Sequence, residues 1–180
     1  MWDIHKEYCG KVMQGTVLAR FREASMGECF SFKVGGLPNL VAEFEDDVLL
    51  MLKFAKISTE SVDMNKSAKS LKRQIEEYAK GKRSEFDVKL ATRGTKFREK
   101  VWRELLKIPF GQTRTYGQIA ELVGGRNYAR AAAGAIHNNR IVIVIPCHRV
   151  IGHDGSLVGF ADGVDIKRTL LEIEGAKFKE

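Results

Sequence analysis

The stretch Ile141-Val142-Ile143-Val144-Ile145-Pro146-Cys147-His148-Arg149-Val150 decides the fold of the second half of the chain. Five consecutive β-branched residues predict an extended, buried run, because such side chains suit a pleated, packed surface. Pro146 ends the run and presents Cys147 at its tip. A thiol reacts as its thiolate, so a nucleophilic cysteine needs a base or a cation beside it. A histidine oriented by a carboxylate supplies that base. Adjacent side chains on an extended chain point to opposite faces, so His148 needs a bend or a bridging water to serve Cys147. The residues also admit a plainer reading, in which Cys147 is a small buried hydrophobe and His148 a hydrogen-bonded structural residue.

Glu174 gives a second hint. It falls in the last turn of a helix predicted over Val164 to Glu174, with Gly175 as its stop. The helix dipole disfavours an anion there, so a carboxylate at that place calls for a partner, and a Cys147–His148–Glu174 relay provides one.

The rest of the second half reads as mostly helical. Thr95 caps a helix with Phe97, Val101, Trp102 and Leu105 at helical spacing, ended by Ile108-Pro109-Phe110-Gly111. Tyr116 to Val123 is a short helix stopped by Gly124-Gly125, and Asn127 is positioned to cap a third helix running to Ile136. The first half reads as a small α/β unit. Val12 to Phe21 and Glu28 to Val34 are β-like, and Gly35-Gly36-Leu37-Pro38-Asn39 is turn chemistry. Val48 to Leu52 fits strand or helix. Ser67 to Lys80 is a predicted helix with Leu71, Ile75 and Tyr78 on one face, and Phe86 to Leu90 alternates like a short strand. The expected fold class is therefore a two-domain α/β protein, with domains over 1–91 and 92–180.

Charge separates the halves. Residues 1–92 carry 15 Lys/Arg against 14 Asp/Glu, whereas residues 93–140 alone carry 10 against 3. Such an excess suits a polyanion, nucleic acid above all, or a basic surface kept for solubility. Cys9, Cys29 and Cys147 form no CxxC pair, which argues against a structural zinc site and leaves a Cys9–Cys29 disulfide open. No apolar run approaches the roughly 18 residues of a membrane helix, and Met1-Trp2-Asp3-Ile4-His5-Lys6 shows no signal peptide. A cytoplasmic protein, or a nuclear one in a eukaryote, is expected.

The two short helices joined by a glycine turn fit a helix-turn-helix. The second carries Ala129, Ala131, Ala132, Ala133, Gly134 and Ala135, flanked by Arg126, Arg130 and Arg140. Small side chains let a helix approach a surface closely, or else serve helix–helix packing inside the protein. Such a helix carries few groups that could read base edges, so any DNA it meets is bound with little sequence preference. That weighs against a regulator using Cys147 as a redox sensor.

Taken together, Ile145 to Val150 resembles the active-site signature of the O6-alkylguanine-DNA alkyltransferases. The resemblance covers residues 95–176 and includes Val101-Trp102, Leu105, Ile108-Pro109, Gly111, Thr115-Tyr116, Ile119-Ala120, Ala129-Arg130, Asn139, Gly163 and Leu170 to Gly175. It implies a ribonuclease-H-like α/β first domain and a mostly helical second domain with a helix-turn-helix. It also implies DNA repair by direct reversal, in which an alkyl group moves irreversibly and once from O6 of guanine to the protein. By resemblance Cys147 is the acceptor, His148 its base through a water, and Glu174 the carboxylate holding that histidine. Tyr116 is similar to the tyrosine that donates to the leaving, flipped guanine, and Arg130 to the arginine that fills its place in the duplex. Asn139 is similar to the asparagine that braces the turn, while Arg126, Ala129, Ala131 and Gly134 would lie along the DNA. Val150, Phe160 and Ala161 would line the guanine pocket. The partner implied is duplex DNA with an O6-alkylguanine, met through its minor groove by a monomer. No cofactor, metal or membrane is expected. Phe160 stands where some members have a tyrosine, and Asp162 is an unexpected charge in the pocket loop. Family relatives that only bind lesions lack the cysteine, and a cysteine hydrolase would turn over without DNA.

Overall fold

The computed structural model describes residues 27–56 and 60–179. Cys9 and the β-like stretch Val12 to Phe21 lie outside them. Among the described residues the fold is mixed α/β, with five α-helices and a small sheet.

Strands β1 (Glu28–Phe32), β2 (Leu40–Glu45) and β3 (Val48–Phe54) form an antiparallel sheet in that order. The ambiguous Val48 to Leu52 segment is therefore strand. Asp46, at φ 52°, turns the chain so that Leu52 pairs with Ala42. Aspartate tolerates that left-handed conformation better than most residues. Helix α1 (Lys66–Ala79) starts where Asn65 accepts a hydrogen bond from the Ala68 amide, and it buries Leu71, Ile75 and Tyr78. Phe86 to Leu90 is not the predicted strand. Gln74 pins it to α1 through two bonds with the Asp87 backbone, at 2.9 and 2.8 Å, and it makes a single bridge, Leu90 to Leu49. The outer edge of β3 is shared: Leu49 bonds to Lys89 and Ala91, while Leu52 bonds to Arg140 and Val142. Neither neighbour gains enough of that edge for a ladder.

Helix α2 (Lys96–Leu106) is capped by Thr95, as the sequence predicts. The two-residue strand β4 (Arg114–Thr115) leads into α3 (Tyr116–Val123), which opens on a capping box between Thr115 and Gln118. Gly124 then lets the chain fold back, since a side chain there would meet the Tyr128 ring at 2.8 Å. Asn127 does not cap the next helix. It sits inside a 3-10 turn, Arg126–Tyr128, that runs directly into α4 (Ala129–His137). The short strand β5 (Val150–Ile151) pairs in parallel with β4, and α5 (Val164–Ile173) ends with Glu174 as its C-cap.

Residues 141–145 correct the expectation most sharply. They are buried, but they form a turn rather than a strand. Ile141 alone bridges to Leu52. Ile145 donates to the Ile141 carbonyl at 3.0 Å, and Ile143 lies at φ 69°. A β-branched residue there is strained, at a cost of about 1–3 kcal/mol. Asn139 explains the outcome. Its side chain accepts from the Ile141 amide at 3.0 Å and donates to the Ile145 carbonyl at 2.9 Å, offering the backbone an alternative to a ladder. One apolar core runs through both halves, from Phe30 and Leu40 of the sheet to Val101, Ile119, Ile145 and Leu170. Among the described residues no helix is long and apolar enough to cross a membrane.

Candidate active site

Cys147, His148 and Arg149 form a single 3-10 turn after Pro146. That turn is the bend the pair needs, and it replaces the extended geometry expected there. The Asn139 amide that braces residues 141–145 also donates to Cys147 Sγ at 3.1 Å. The thiol sits in a narrow cleft whose lining includes Ile136, Asn139, Val142, Phe160, Ala161 and Asp162. A wider hollow of about 370 Å³ adjoins it, lined by Tyr116, Ala133, Gly134, His137 and Gly159, with His137 and Gly159 common to both. That volume lies within the range of small-molecule sites, roughly 300–1,000 Å³.

Behind the thiol is a buried polar network centred on Glu174. His148 Nε2 lies 2.8 Å from Glu174 Oε1. Arg149 grips both carboxylate oxygens, at 2.8 and 2.9 Å, and donates to the Ile108 carbonyl at 2.5 Å. The Gly111 amide donates to Oε2 at 3.1 Å, and the Tyr78 hydroxyl to Oε1 at 2.8 Å. These donors answer the misplaced anion at the end of α5. Burial pushes the Glu174 carboxyl up, but the bonds from His148 and Arg149 outweigh it and hold it at about 2. The carboxylate is thus ionised, and it fixes the proton of a neutral imidazole on Nε2. Burial lowers the His148 pKa, keeping the ring neutral. Nδ1 is then a bare lone pair, and it has no hydrogen-bond partner among the described residues. Burial pushes the Cys147 thiol up, against the Asn139 bond that lowers it. At rest the pair is therefore a neutral thiol with an unprotonated base one residue away.

Tyr116 stands at the start of α3, its hydroxyl donating to the Gly159 carbonyl at 2.7 Å. Burial, above all, raises it to about 12. Lys167 is fully buried and donates to the carbonyls of Val150 and Val158, at 2.5 and 2.7 Å. Burial lowers its pKa to about 8.

The structure thus brings Cys147, His148, Glu174 and Asn139 together and places Phe160 and Ala161 beside the thiol. Val150 does not reach the cleft; it is wholly buried, and its carbonyl is held by Lys167. Arg126, Arg130, Ala131 and Gly134 are exposed, and Ala129 is half-buried. Helix α4 divides its small residues: Ala132 and Ala135 face the core, whereas a side chain at Gly134 would meet nothing within 4 Å. Internal packing accounts for the first pair and not for Gly134.

Sequence reasoning gave no role to Arg149, Lys167 or Tyr78. Arg149 stands next to the Cys-His pair. Lys167 shares a helix face with Leu170, Leu171 and Glu174, so a polar residue at core spacing was the available signal. Tyr78 was legible as core, but nothing in its surroundings in sequence points to Glu174.

Fold and site define a class: a mixed α/β protein in which a buried cysteine opens into a cleft and is backed by a histidine–glutamate–arginine network. Residues 96–176 match the family model described as 6-O-methylguanine DNA methyltransferase, DNA binding domain. A methylated-DNA–protein-cysteine methyltransferase of Methanosarcina barkeri is 45% identical over 128 residues, 71% of this chain and 81% of that protein. A solved structure of the Mycobacterium tuberculosis O6-methylguanine methyltransferase has TM-score 0.72 and 35% identity, covering 82% of this chain and 93% of that one. The M. tuberculosis OGT in complex with DNA has TM-score 0.72 and 37% identity, covering 81% and 91%. The chain belongs to the methylated-DNA–protein-cysteine methyltransferase family.

Proposed function

We propose that the protein repairs DNA by direct reversal, moving an alkyl group from O6 of guanine to Sγ of Cys147, once per molecule. The observation that carries this reading is the thiol at the foot of a cleft, followed in the same 3-10 turn by His148, whose buried Nδ1 has no partner among the described residues. The alkyl carbon is sp³, so transfer is an in-line displacement. The S–C bond forms as the C–O6 bond breaks. The thiol proton passes to His148 Nδ1 through a bridging water, and the resulting imidazolium is stabilised by Glu174. The electron pair of the broken bond stays on guanine, which departs more easily when a hydroxyl donates to it. Tyr116 supplies that donor after its hydroxyl leaves the Gly159 carbonyl. The product is a thioether without a good leaving group, so the protein is consumed.

A base in a duplex is out of reach of a buried thiol, so the guanine is flipped into the hollow beside Tyr116. Helices α3 and α4 act as a helix-turn-helix that lies in the minor groove. Arg130 fills the space the base leaves, Arg126 meets phosphate, and Ala129, Ala131 and Gly134 keep the approach close. The open space at Gly134 supports this placement. A surface so poor in hydrogen-bonding side chains reads little sequence, which suits a lesion that occurs anywhere. We also place a boundary between a ribonuclease-H-like unit over 1–91 and the DNA-binding unit over 92–180, both acting within a monomer.

The test is to mix the full chain with duplex carrying O6-methylguanine and weigh the intact protein. A gain of one methyl per chain, mapped to Cys147 and absent in Cys147→Ser, is expected. Several turnovers per chain, or a methyl on another residue, would overturn the reading.

A further inference from the structure

Asp162 is a carboxylate in a cleft whose other walls are mainly apolar. It lines that cleft together with the Cys147 thiol, Phe160 and Val142, but it does not line the adjoining hollow that holds Tyr116. Its Oδ2 is shielded from solvent and has no hydrogen-bond partner among the described residues. A buried, unsatisfied polar oxygen is costly and is normally paired. Phe160 brings no hydroxyl to it. The Cys147 sulfur accepts from the Asn139 amide.

We propose that Asp162 is a specificity-determining residue, whose carboxyl admits O6 substituents ending in a hydrogen-bond donor and turns away substituents that carry a negative charge. The inference rests on the proposed transfer to Cys147. In that reading the base occupies the hollow and its O6 substituent enters the cleft, so a group that lines only the cleft meets the substituent and not the base. A hydroxyl at the end of a two-carbon chain satisfies Oδ2. A carboxylate there faces a like charge in a site largely shielded from water, where repulsion is strong. Burial raises the Asp162 pKa, although Lys53 on β3 and His137 on α4 oppose it and favour the anion. The same carboxyl opposes ionisation of the Cys147 thiol, and Lys53 offsets it.

The experiment uses the full chain and its Asp162→Asn and Asp162→Ala variants. Each reacts with duplexes bearing O6-methyl-, O6-(2-hydroxyethyl)- or O6-carboxymethylguanine, and the rate of mass gain on Cys147 is followed. Ratios between adducts cancel any general effect of the lost charge on DNA binding. For the unsubstituted protein, carboxymethyl transfer is expected to be at least about tenfold slower than methyl transfer. Asp162→Asn, which keeps an acceptor oxygen, closes most of that gap and keeps the hydroxyethyl-to-methyl ratio. Asp162→Ala closes the gap and lowers that ratio by about threefold or more, the loss of one hydrogen bond. Methyl transfer with all ratios unchanged in both variants overturns the proposal alone. Failure of the unsubstituted protein to take up methyl overturns the underlying reading and the proposal with it.

Discussion

The region behind Cys147 and the outer surface of α4 use polar side chains in opposite ways. Behind the thiol, His148, Arg149 and Glu174 are buried and bonded to one another, and the network reaches Tyr78 in the first half of the chain. Along α4, Arg130 and Ala131 are exposed, and Gly134 adds no side chain to an open surface. The first arrangement fixes protonation states; the second leaves an open surface of small and basic residues. Damage to one region should therefore appear in folding and chemistry, and damage to the other in DNA binding alone.

The largest expected effect falls on the buried network. Arg149→Met removes the cation opposite Glu174 and leaves a buried carboxylate with too few donors. We expect a loss of about 3–5 kcal/mol in stability, read by denaturant unfolding. A loss below about 1 kcal/mol would mean that Arg149 does not balance that charge. Next is Arg130→Ala, expected to slow alkyl transfer from duplex DNA by about tenfold or more while leaving the melting temperature within a degree or so. A fall in stability instead would place Arg130 in the structural region. Acid should separate the regions further. A histidine with a lowered pKa protonates more readily unfolded than folded, so stability is lost as pH falls below about 6.5. Glu174, held at about 2, contributes stability above 4.5 that is lost as pH falls towards 2. His148→Gln should remove the upper part of this acid response, which thermal melts across the range would check. The smallest effect is Gly134→Ala, expected to stabilise α4 by about 0.5–1 kcal/mol because its Cβ meets nothing. Gly134→Leu should fold equally well yet weaken DNA binding, measured by fluorescence anisotropy.

The two regions also differed in how far the sequence disclosed them. Most helix ends were legible, because Thr95 and the glycines after α3 and α5 act locally, but the start of α4 was not, since Asn127 falls inside a 3-10 turn. Cys147, His148 and Glu174 were legible as a group, the last because an anion at a helix C-terminus needs a reason. The turn at 141–145 was not. Its β-branched residues favour a strand, and only the two side-chain bonds of Asn139, together with competition for the edge of β3, reverse that preference. Tyr78 was hidden for a related reason: its partner lies 96 positions away. The small residues on α4 are divided between a buried pair, Ala132 and Ala135, and the open position Gly134, which composition could not reveal.

The proposed transfer needs a thiol that is neutral at rest and depends on its neighbour for activation. The direct measurement is a pH titration of Cys147 thiolate absorbance in a Cys9→Ser/Cys29→Ser background, without DNA. The expected midpoint lies above that of an ordinary thiol, about 8.5, and the thiol is almost wholly protonated at neutral pH. A thiolate already dominant at pH 7 would contradict the account.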